Sequence, residues 1–292
     1  MDSPNVNWSA LKKQGIPGFK GSKSFIYPGK KHPYYKYSKS LKQIGKHGIP
    51  AKKYQAEIDK IWTCGFNPYW IDAFDVKGKT YFNVIFRPSS GAAWKTRHGM
   101  SGNGYQKRFD TFKEAGYRLT LVDSCISQGK VRYAAIWIKS PGPSIHAYHD
   151  APENWHRDKF KELTKKGWVP VNVSCVSIGG ERKITALYEK KNVGGFKLKS
   201  RMSLGQYQNL FDQYKEKGFE LVYINGNIHN NKPTLSGIWY KNPPFTAYVA
   251  KHNMTSAEYQ NEYIKKKAGG WSTRCVTGYE DSGSKFGAIW TK

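Results

Sequence analysis

A glycine recurs in this chain at nearly constant spacing, and that regularity limits the folds open to it. The spacings are 51, 51, 51 and 52 residues, between Gly65, Gly116, Gly167, Gly218 and Gly270. The stretch GYQKRFDTFKEAGYRLTLVDSCISQGKVRYAAIWIK (104–139) returns in similar form as GQYQNLFDQYKEKGFELVYINGNIHNNKPTLSGIWYK (205–241). Fixed-period self-similarity is the signature of repeat architectures, so the chain is built from tandem copies of one supersecondary unit.

The residues before each glycine predict an amphipathic helix. Large, mostly apolar side chains stand eleven, seven and four positions before it, such as Tyr105, Phe109 and Phe112 in the second unit. These offsets place them on one helical face, with Lys266 of the fifth unit as the exception. The glycine then stops the helix, because it adopts a positive φ without steric cost.

The residues after each glycine predict a β-hairpin. An aromatic residue follows the glycine, and alternating apolar residues lead to a Gly, Asn or Ser turn. The returning strand ends in VIF, AIW, ALY, GIW or AIW, and two residues later stand Lys139, Lys190, Lys241 and Lys292, with Pro88 in the first copy. A short extended piece precedes each helix, with Pro, Ser or Thr as candidate caps. The unit is therefore strand, helix, strand, strand.

The predicted fold class is α+β, with five tandem strand-helix-strand-strand repeats of about 51 residues. A basic, aromatic-rich N-terminal extension is expected at 1–39 and a five-repeat domain at 40–292, with units at about 40–88, 89–139, 140–190, 191–241 and 242–292. One unit cannot cover its own apolar faces, so the units must stack into a continuous core. Both a propeller-like ring, which leaves no exposed sheet edge, and a curved open array satisfy this requirement.

The conserved letters of the unit also carry a family resemblance. The string HGM, YQ, F, GY and the ending RYAAIW resembles the bacterial tandem repeat family also found as the N-terminal region of secreted polyglycine hydrolases. The resemblance covers about five sixths of the chain. In that family the repeats precede a β-lactamase-type serine hydrolase domain that carries the catalysis, and the chain as given has no counterpart of it. The resemblance implies a repeat module of extracellular type without its enzyme.

The charge of the chain predicts an anionic partner. There are 48 Lys and Arg against 21 Asp and Glu, a formal net charge of +27, which attracts polyanions in a salt-dependent way. Sulfated glycan, nucleic acid and mineral surface all fit. Twelve lysines and no acid lie between Ser3 and Ala56, interleaved with aromatic residues. The candidate polyanion-binding residues are Lys30, Lys31, Lys36, Lys39, Lys42, Lys46, Lys52, Lys53, Tyr34 and Tyr35. The alternative is a solvated arm whose aromatic residues pack on the first repeat.

One histidine position repeats eighteen residues before the glycine. It is occupied by His47, His98, His149 and His252, and Ser200 takes the position in the fourth unit. In a ring these imidazoles would lie at equivalent heights, where a cluster could hold a metal or shuttle protons. The other interpretation is a structural device that forms hydrogen bonds before the helix.

We expect the cysteines and the acids to fall at positions that do not recur from unit to unit. Cys125 and Cys175 are interpreted as small buried hydrophobes or as a disulfide between neighbouring units. Acids such as Asp72 and Asp123 are taken to occur singly, with no spacing shared between units, so paired carboxylates for acid–base chemistry are not expected.

These features favour a non-catalytic repeat protein, with no cofactor, that binds an extended polyanionic or glycan-like partner through a lysine- and aromatic-rich surface. One alternative is an enzyme, a hydrolase or metal-dependent, with a central His-lined site and a contribution from Cys275. Another is a structural, self-assembling matrix protein. The sequence has no run of about 18 apolar residues, so a transmembrane segment is not expected. The start MDSPNVNW is not followed by an apolar signal segment. An extracellular location is expected from the resemblance, with a cytoplasmic location as the alternative.

Overall fold

The computed structural model of the protein describes residues 41–292. The 1–39 extension lies outside the described residues, and so do the predicted binding residues Lys30, Lys31, Lys36, Lys39, Tyr34 and Tyr35. Within the described part, no helix is long and apolar enough to cross a membrane.

Five units of the predicted kind follow one another along the chain. The first contains β1 (Ile44–Pro50), α1 (Ala51–Trp62), β2 (Phe66–Val76) and β3 (Lys79–Pro88). The second contains β4 (Trp94–Met100), α2 (Gly102–Glu114), β5 (Arg118–Ser127) and β6 (Lys130–Ile138). The third contains β7 (Ile145–Pro152), α3 (Glu153–Lys165), β8 (Trp168–Ile178) and β9 (Glu181–Lys190). The fourth contains β10 (Phe196–Met202), α4 (Leu204–Glu216), β11 (Glu220–His229) and β12 (Lys232–Tyr240). The fifth contains β13 (Tyr248–Met254), α5 (Ser256–Ala268), β14 (Ser272–Glu280) and β15 (Ser284–Thr291). The predicted order strand, helix, strand, strand is confirmed.

Each unit forms its own three-stranded antiparallel sheet. The returning strand of the hairpin lies in the middle, with the strand that precedes the helix on one side and the first hairpin strand on the other, as in the order β1-β3-β2. Every sheet has the same two irregularities, for example between Lys46 and Ile49 in β1 and between Pro68 and Trp70 in β2. The repeat in the sequence is therefore a repeat in register as well as in element order.

The helix boundaries follow local chemistry. Ser101, Ser203 and Thr255 accept a hydrogen bond from a first-turn backbone N–H, whereas Pro50 and Pro152 begin their helices without a side-chain cap. At the other end the recurring glycines have φ between +74° and +84°. This left-handed conformation is the reason that glycine recurs there. The predicted glycine stop is present in every unit, whereas the predicted cap is present at the three Ser or Thr positions and absent at the two Pro positions.

The first hairpin strands of neighbouring units lie side by side, and β14 of the fifth unit lies beside β2 of the first. A hydrogen bond repeats at four of the five boundaries, the exception being the boundary between the third and fourth units. The donor is the backbone N–H of the residue that stands eight positions after the glycine of one unit. The acceptor is the side chain of the residue that stands seven positions after the glycine of the following unit. The bonds are Ala73 to Asp123 (2.7 Å), Ser124 to Ser174 (3.0 Å), Gly226 to Thr277 (2.8 Å) and Gly278 to Asp72 (2.8 Å).

The first and fifth units are thus in contact, through the same bond that joins consecutive units. Gln43 also donates to Thr273 (3.2 Å), and the indole of Trp70 donates to the Val276 carbonyl (2.8 Å). An open array would keep these units apart, so the order of neighbours is cyclic. The five sheets nevertheless remain separate, and the propeller-like description stays a prediction.

The recurring histidines also lie at boundaries between units. Each imidazole stands edge-on to the tyrosine eleven positions before the glycine of the preceding unit. The ring-centroid distances are 4.5 Å for His98–Tyr54, 4.9 Å for His149–Tyr105, 4.8 Å for His252–Tyr207 and 4.7 Å for His47–Tyr259. The exceptions coincide, because the unit that precedes Ser200 carries His156 in place of the tyrosine. The histidine and the tyrosine thus act as a pair.

We expect Gly278→Ala to weaken the contact between the fifth and first units. A Cβ atom at this position would lie 2.5 Å from the Phe74 ring, so the ring must shift at a cost of about 1–3 kcal/mol. Urea unfolding monitored by circular dichroism measures the effect. Gly205→Ala is the matched control, because nothing lies within 4 Å of its added Cβ, and we expect it to be at least as stable as the wild type. Equal midpoints for Gly278→Ala and wild type would contradict the packing described here.

Candidate functional site

Three layers of side chains occupy the region where the first hairpin strands meet. Residues five, seven and nine positions after each glycine alternate along the strand and therefore share one face. The first layer consists of Trp70, Leu121, Asn172, Tyr223 and Cys275. The second consists of Asp72, Asp123, Ser174, Asn225 and Thr277, all buried. The third consists of Phe74, Cys125, Val176, Asn227 and Tyr279. Trp70 packs against four of the hydrophobic clusters and so connects several units.

The second layer is polar in every unit, which the sequence interpretation missed. The expectation that acids share no spacing was wrong, because Asp72 and Asp123 both stand seven positions after their glycines. Asp72 Oδ2 accepts from the Asn83 amide (2.8 Å) as well as from the Gly278 N–H. Asn225 donates to the second carboxylate oxygen of Asp123 (3.4 Å). The sequence did contain a signal for this layer, because a small polar residue stands seven positions after the glycine in all five units.

The two buried carboxyl groups titrate abnormally. Burial raises the pKa of Asp72 to about 7 against the hydrogen bonds from Thr277, Gly278 and Asn83, which lower it. Burial, together with the nearby Asp72 carboxylate, raises the pKa of Asp123 well above its ordinary value. Two carboxyl groups this close favour a state in which at least one is protonated. They hold neighbouring strands together through backbone N–H groups and have no exposed substrate side.

We expect Asp72→Asn to flatten the pH dependence of stability. Because the pKa of Asp72 rises from 3.8 to about 7 on folding, its effect on the free energy of unfolding is most favourable below pH 4. That contribution is lost as the pH rises from 4 through 7. The Asn83 and Gly278 donors can bond to the amide oxygen of an asparagine, so the variant should match or exceed wild-type stability at pH 8. Thermal unfolding at pH 4.5, 6 and 8 tests this, with the exposed Asp110→Asn as control. A variant that keeps the full wild-type slope would contradict it.

A cavity of about 460 Å³ opens at the end of the molecule where the hairpin turns lie, which we call the turn end. All five units contribute to its walls, including Ser177, Asn227 and Tyr279. Asp75 and Glu280 are also among its lining residues, and burial together with the nearby Glu280 raises the pKa of Asp75. The cavity is a concave, mixed polar and apolar site of the size that small ligands use.

The chemistry available at the turn end is limited. Ser177 Oγ lies 2.8 Å from Nδ1 of His229, the distance of a nucleophile from its base. Within residues 41–292, however, no carboxylate hydrogen-bonds to the other nitrogen of His229, which leaves the ring without the group that orients a catalytic base. Ser124 Oγ pairs with Ser174 Oγ (2.8 Å). The Ser177–His229 pair therefore lacks the third member of a catalytic triad within the described residues.

The opposite end carries the lysines that follow the hairpins of the second to fifth units, and we call it the lysine end. A second cavity of about 330 Å³ opens there, lined by Tyr69, Trp70, Arg118, Glu189 and Arg274 among others. Arg118 pairs with Glu189 at 3.0 Å, and Arg274 Nε donates to the Val222 carbonyl at 2.7 Å. The Arg87 guanidinium lies 3.4 Å from the centroid of the Tyr69 ring. Two arginines and three aromatic residues therefore contribute to the walls of this cavity, beside apolar and polar residues.

A lysine ammonium lies over the aromatic residue that follows the glycine in four consecutive units. The distances to the ring centroids are 5.6 Å for Lys139–Tyr117, 5.2 Å for Lys190–Trp168, 5.3 Å for Lys197–Phe219 and 4.8 Å for Lys292–Trp271. The rings are half-buried and the lysines exposed. Such an arrangement is a cation–π contact whose ammonium still faces solvent.

The structure disperses most of the residues singled out from the sequence. Lys42, Lys52 and Lys53 are exposed, whereas Lys46 is half-buried and pairs with Glu57 at 3.5 Å. The histidines His47, His98, His149 and His252 stay at separate unit boundaries and do not line a common site. In the part of the chain that the structure describes, no group of three or more His, Cys, Asp or Glu residues could hold a metal ion.

All four cysteines carry buried thiols, and no disulfide joins them in residues 41–292. Burial raises the pKa of Cys64 and Cys275 to about 12, and it raises the pKa of Cys125 and Cys175 as well. Of the two interpretations of Cys125 and Cys175, the structure contains the buried hydrophobe and not the disulfide. A thiol in this state is a poor nucleophile.

We expect the native protein to react negligibly with an aromatic disulfide reagent at pH 8. All four thiols should react once guanidinium unfolds the chain, because burial and a raised pKa both suppress the thiolate. Absorbance of the released thiolate counts the reactive groups. Two reactive thiols in the unfolded, unreduced protein would instead reveal a disulfide, and fast reaction of the native protein would contradict the burial.

The geometry defines a class of protein, a tandem α+β repeat whose five units pack in cyclic order around polar and aromatic layers. The model of the polyglycine hydrolase-like structural repeat matches the chain five times, at residues 46–89, 91–140, 142–191, 195–242 and 245–292. The chain belongs to this family, as the resemblance implied. The matched ranges correspond closely to the units set by the structure.

Proposed function

We propose that this protein is a non-catalytic binding module that holds an extended polyanionic or glycan-like partner at its lysine end. The observation that carries the proposal is the recurrence of an ammonium over an aromatic ring in four consecutive units. A partner with regularly spaced anionic groups could engage several such pairs at once. Many weak contacts in parallel would then give useful affinity.

The distribution of charge within each unit supports this proposal. The first hairpin strands, which face one another, contain more acids than bases. Their acids are Asp72, Asp75, Asp123, Glu220 and Glu280, and their bases are Arg118 and Arg274. The strands that precede the helices are basic. They contain Lys46, Lys95, Arg97, Lys197, Lys199, Arg201 and Lys251 against the single acid Asp150. An approaching anion therefore meets positive charge from this strand in four of the five units, the exception being β7 of the third unit.

The proposed mechanism combines electrostatic capture with aromatic contact. Lysines replace the counterions of a phosphate or sulfate polymer, which makes the affinity fall with added salt. Rings such as Tyr117, Trp168 and Trp271 are half-buried, so part of each remains available for a sugar face or a base. Lys42, Lys52 and Lys53, which are exposed on the first unit, add to the same attraction.

The rival enzyme with a central histidine site lacks support in the geometry. Each histidine of the repeat packs its ring against a tyrosine of the neighbouring unit, and the four imidazole rings do not meet at a common site. The self-assembling matrix alternative is distinguished by scattering at rising protein concentration.

We expect the triple variant Lys139→Gln, Lys190→Gln, Lys292→Gln to bind heparin and duplex DNA more weakly. If each lysine neutralises one phosphate, the slope of log affinity against log salt on duplex DNA should flatten by roughly 2 to 3. Fluorescence anisotropy between about 50 and 200 mM salt measures it.

The matched control is Lys79→Gln, Lys130→Gln, Lys232→Gln, which removes the same charge from exposed lysines at the start of three returning strands, beside the turn end. We expect this control to keep most of the affinity. Equal losses in the two triple variants would mean that net charge alone drives binding, and the lysine end would then not be the site.

A further inference from the structure

The boundary between the third and fourth units departs from the repeat at several positions together. His156 replaces the helix tyrosine, Ser200 replaces the histidine that packs on it, and Ile184 stands where Phe82, Tyr133 and Phe286 supply a second ring at other boundaries. His156 Nδ1 instead lies 2.6 Å from the hydroxyl of Tyr148. The histidine–tyrosine ring contact found at the other four boundaries is therefore absent here.

A cleft of about 600 Å³ occupies this boundary, between α3 and β10. Phe160 and Leu198 supply its apolar lining. Its charged lining comprises Glu153, Arg157, Lys199 and Arg201, three cations and one carboxylate. Burial and the nearby Arg182 lower the pKa of His156 to about 4, so this residue is neutral at physiological pH. The cleft therefore carries net positive charge.

A buried arginine lies behind Glu153. The side chain of Arg182 is 1% exposed, and its Nη1 donates to Glu153 Oε1 at 2.7 Å. Its Nε and Nη2 atoms have no nitrogen or oxygen partner among the described residues, and the buried Cys175 thiol is its nearby neighbour. Thr80, Val131, Pro233 and Ser284 stand at this position in the other units. A guanidinium buried with unused donors is costly for folding alone, which indicates that its charge serves another purpose.

Arg201 adds backbone strain to the same site. Its φ is +58°, in the left-handed region, where the other units place Gly48, Gly99, Asp150 and Asn253. Glycine, asparagine and aspartate tolerate this conformation, whereas a long side chain does so at a cost. Arg201 Nη1 lies 3.3 Å from Glu153 Oε2, so one carboxylate holds two guanidinium groups. Strained residues of this kind persist at functional sites.

The start of α3 contributes further donors. Pro152 precedes the helix and provides no side-chain cap, unlike Ser203 and Thr255 at the starts of α4 and α5. Glu153 and Asn154, at the beginning of the helix, line the cleft. The positive end of the helix dipole therefore acts in the same direction as the cations.

We propose that the cleft between α3 and β10 binds a single oxyanion group, a phosphate or sulfate as the free ion or as an ester. Arg201 and Lys199 contact the oxyanion, and Arg182 holds Glu153 in place and adds positive charge beneath it. The site is separate from the lysine end and uses none of its residues. Lys199 and Arg201 also belong to the basic strands that would attract a polyanion, but the lysine-end test changes only Lys139, Lys190 and Lys292, so the two experiments can fail separately.

Arg201→Gly in the full chain tests this site. Glycine accepts the left-handed φ, so we expect the variant without added anion to melt at or above the wild-type temperature. Sodium phosphate should raise the wild-type melting temperature beyond a sodium chloride series of equal ionic strength. In Arg201→Gly the phosphate Kd from calorimetry should rise about tenfold or more, because a charged donor is lost. Lys199→Gln should weaken binding in the same direction.

Asn253→Gly is the matched control, because it makes the same backbone change at the same position of the fifth unit and should leave phosphate binding unchanged. A sulfate series beside the phosphate series shows which oxyanion the cleft prefers. Two results would overturn the proposal. One is a wild-type protein that phosphate stabilises no more than chloride does, and the other is an equal phosphate response in Arg201→Gly and Asn253→Gly.

Discussion

The structure depends on one hydrogen bond between units, from a backbone N–H of one first hairpin strand to a short polar side chain of the next. Each of these strands is the edge of its own three-stranded sheet, so its outer N–H and C=O groups have no partner within the unit. Burying such an edge without partners is costly. A side chain of the neighbouring unit accepts from one of these N–H groups at four boundaries. The pairs are Gly278 to Asp72, Ala73 to Asp123, Ser124 to Ser174 and Gly226 to Thr277. A short polar side chain stands at this position in every unit, and in the fourth unit Asn225 donates to Asp123 instead of accepting from a neighbouring strand.

Close approach of the strands follows from that bond. Residues eight positions after the glycine are Ala73, Ser124, Cys175, Gly226 and Gly278, all small. Where glycine stands there, a large ring from the next unit takes the space, as Tyr279 does over Gly226 and Phe74 over Gly278. Glycine and ring are therefore complementary in volume, and the five units need not be identical to pack in the same way.

Charge is distributed unevenly between the strands of each unit and its periphery. Two of the acids in the first hairpin strands, Asp72 and Asp123, are buried where the strands meet and accept backbone N–H groups there. Most lysines stand on the periphery and at the ends of hairpins, where solvent covers them. The boundary between the third and fourth units breaks this pattern, with Arg182 buried and Arg201 strained around Glu153. A repeat makes such a departure easy to recognise, because four other boundaries show what folding alone requires.

The sequence by itself determined the unit, its number and its internal order, because helix faces, glycine stops and turn residues are local properties that recur at a fixed period. It also indicated that each helix buries one face, as Tyr105 and Phe112 do. It did not reveal which residues of different units meet. Only the tertiary structure decided that His98 packs on Tyr54, that Asp72 accepts from Gly278, and that the four histidines stay apart. Those outcomes depend on how separate sheets approach one another, and contacts across roughly 50 to 200 residues leave no trace in local periodicity.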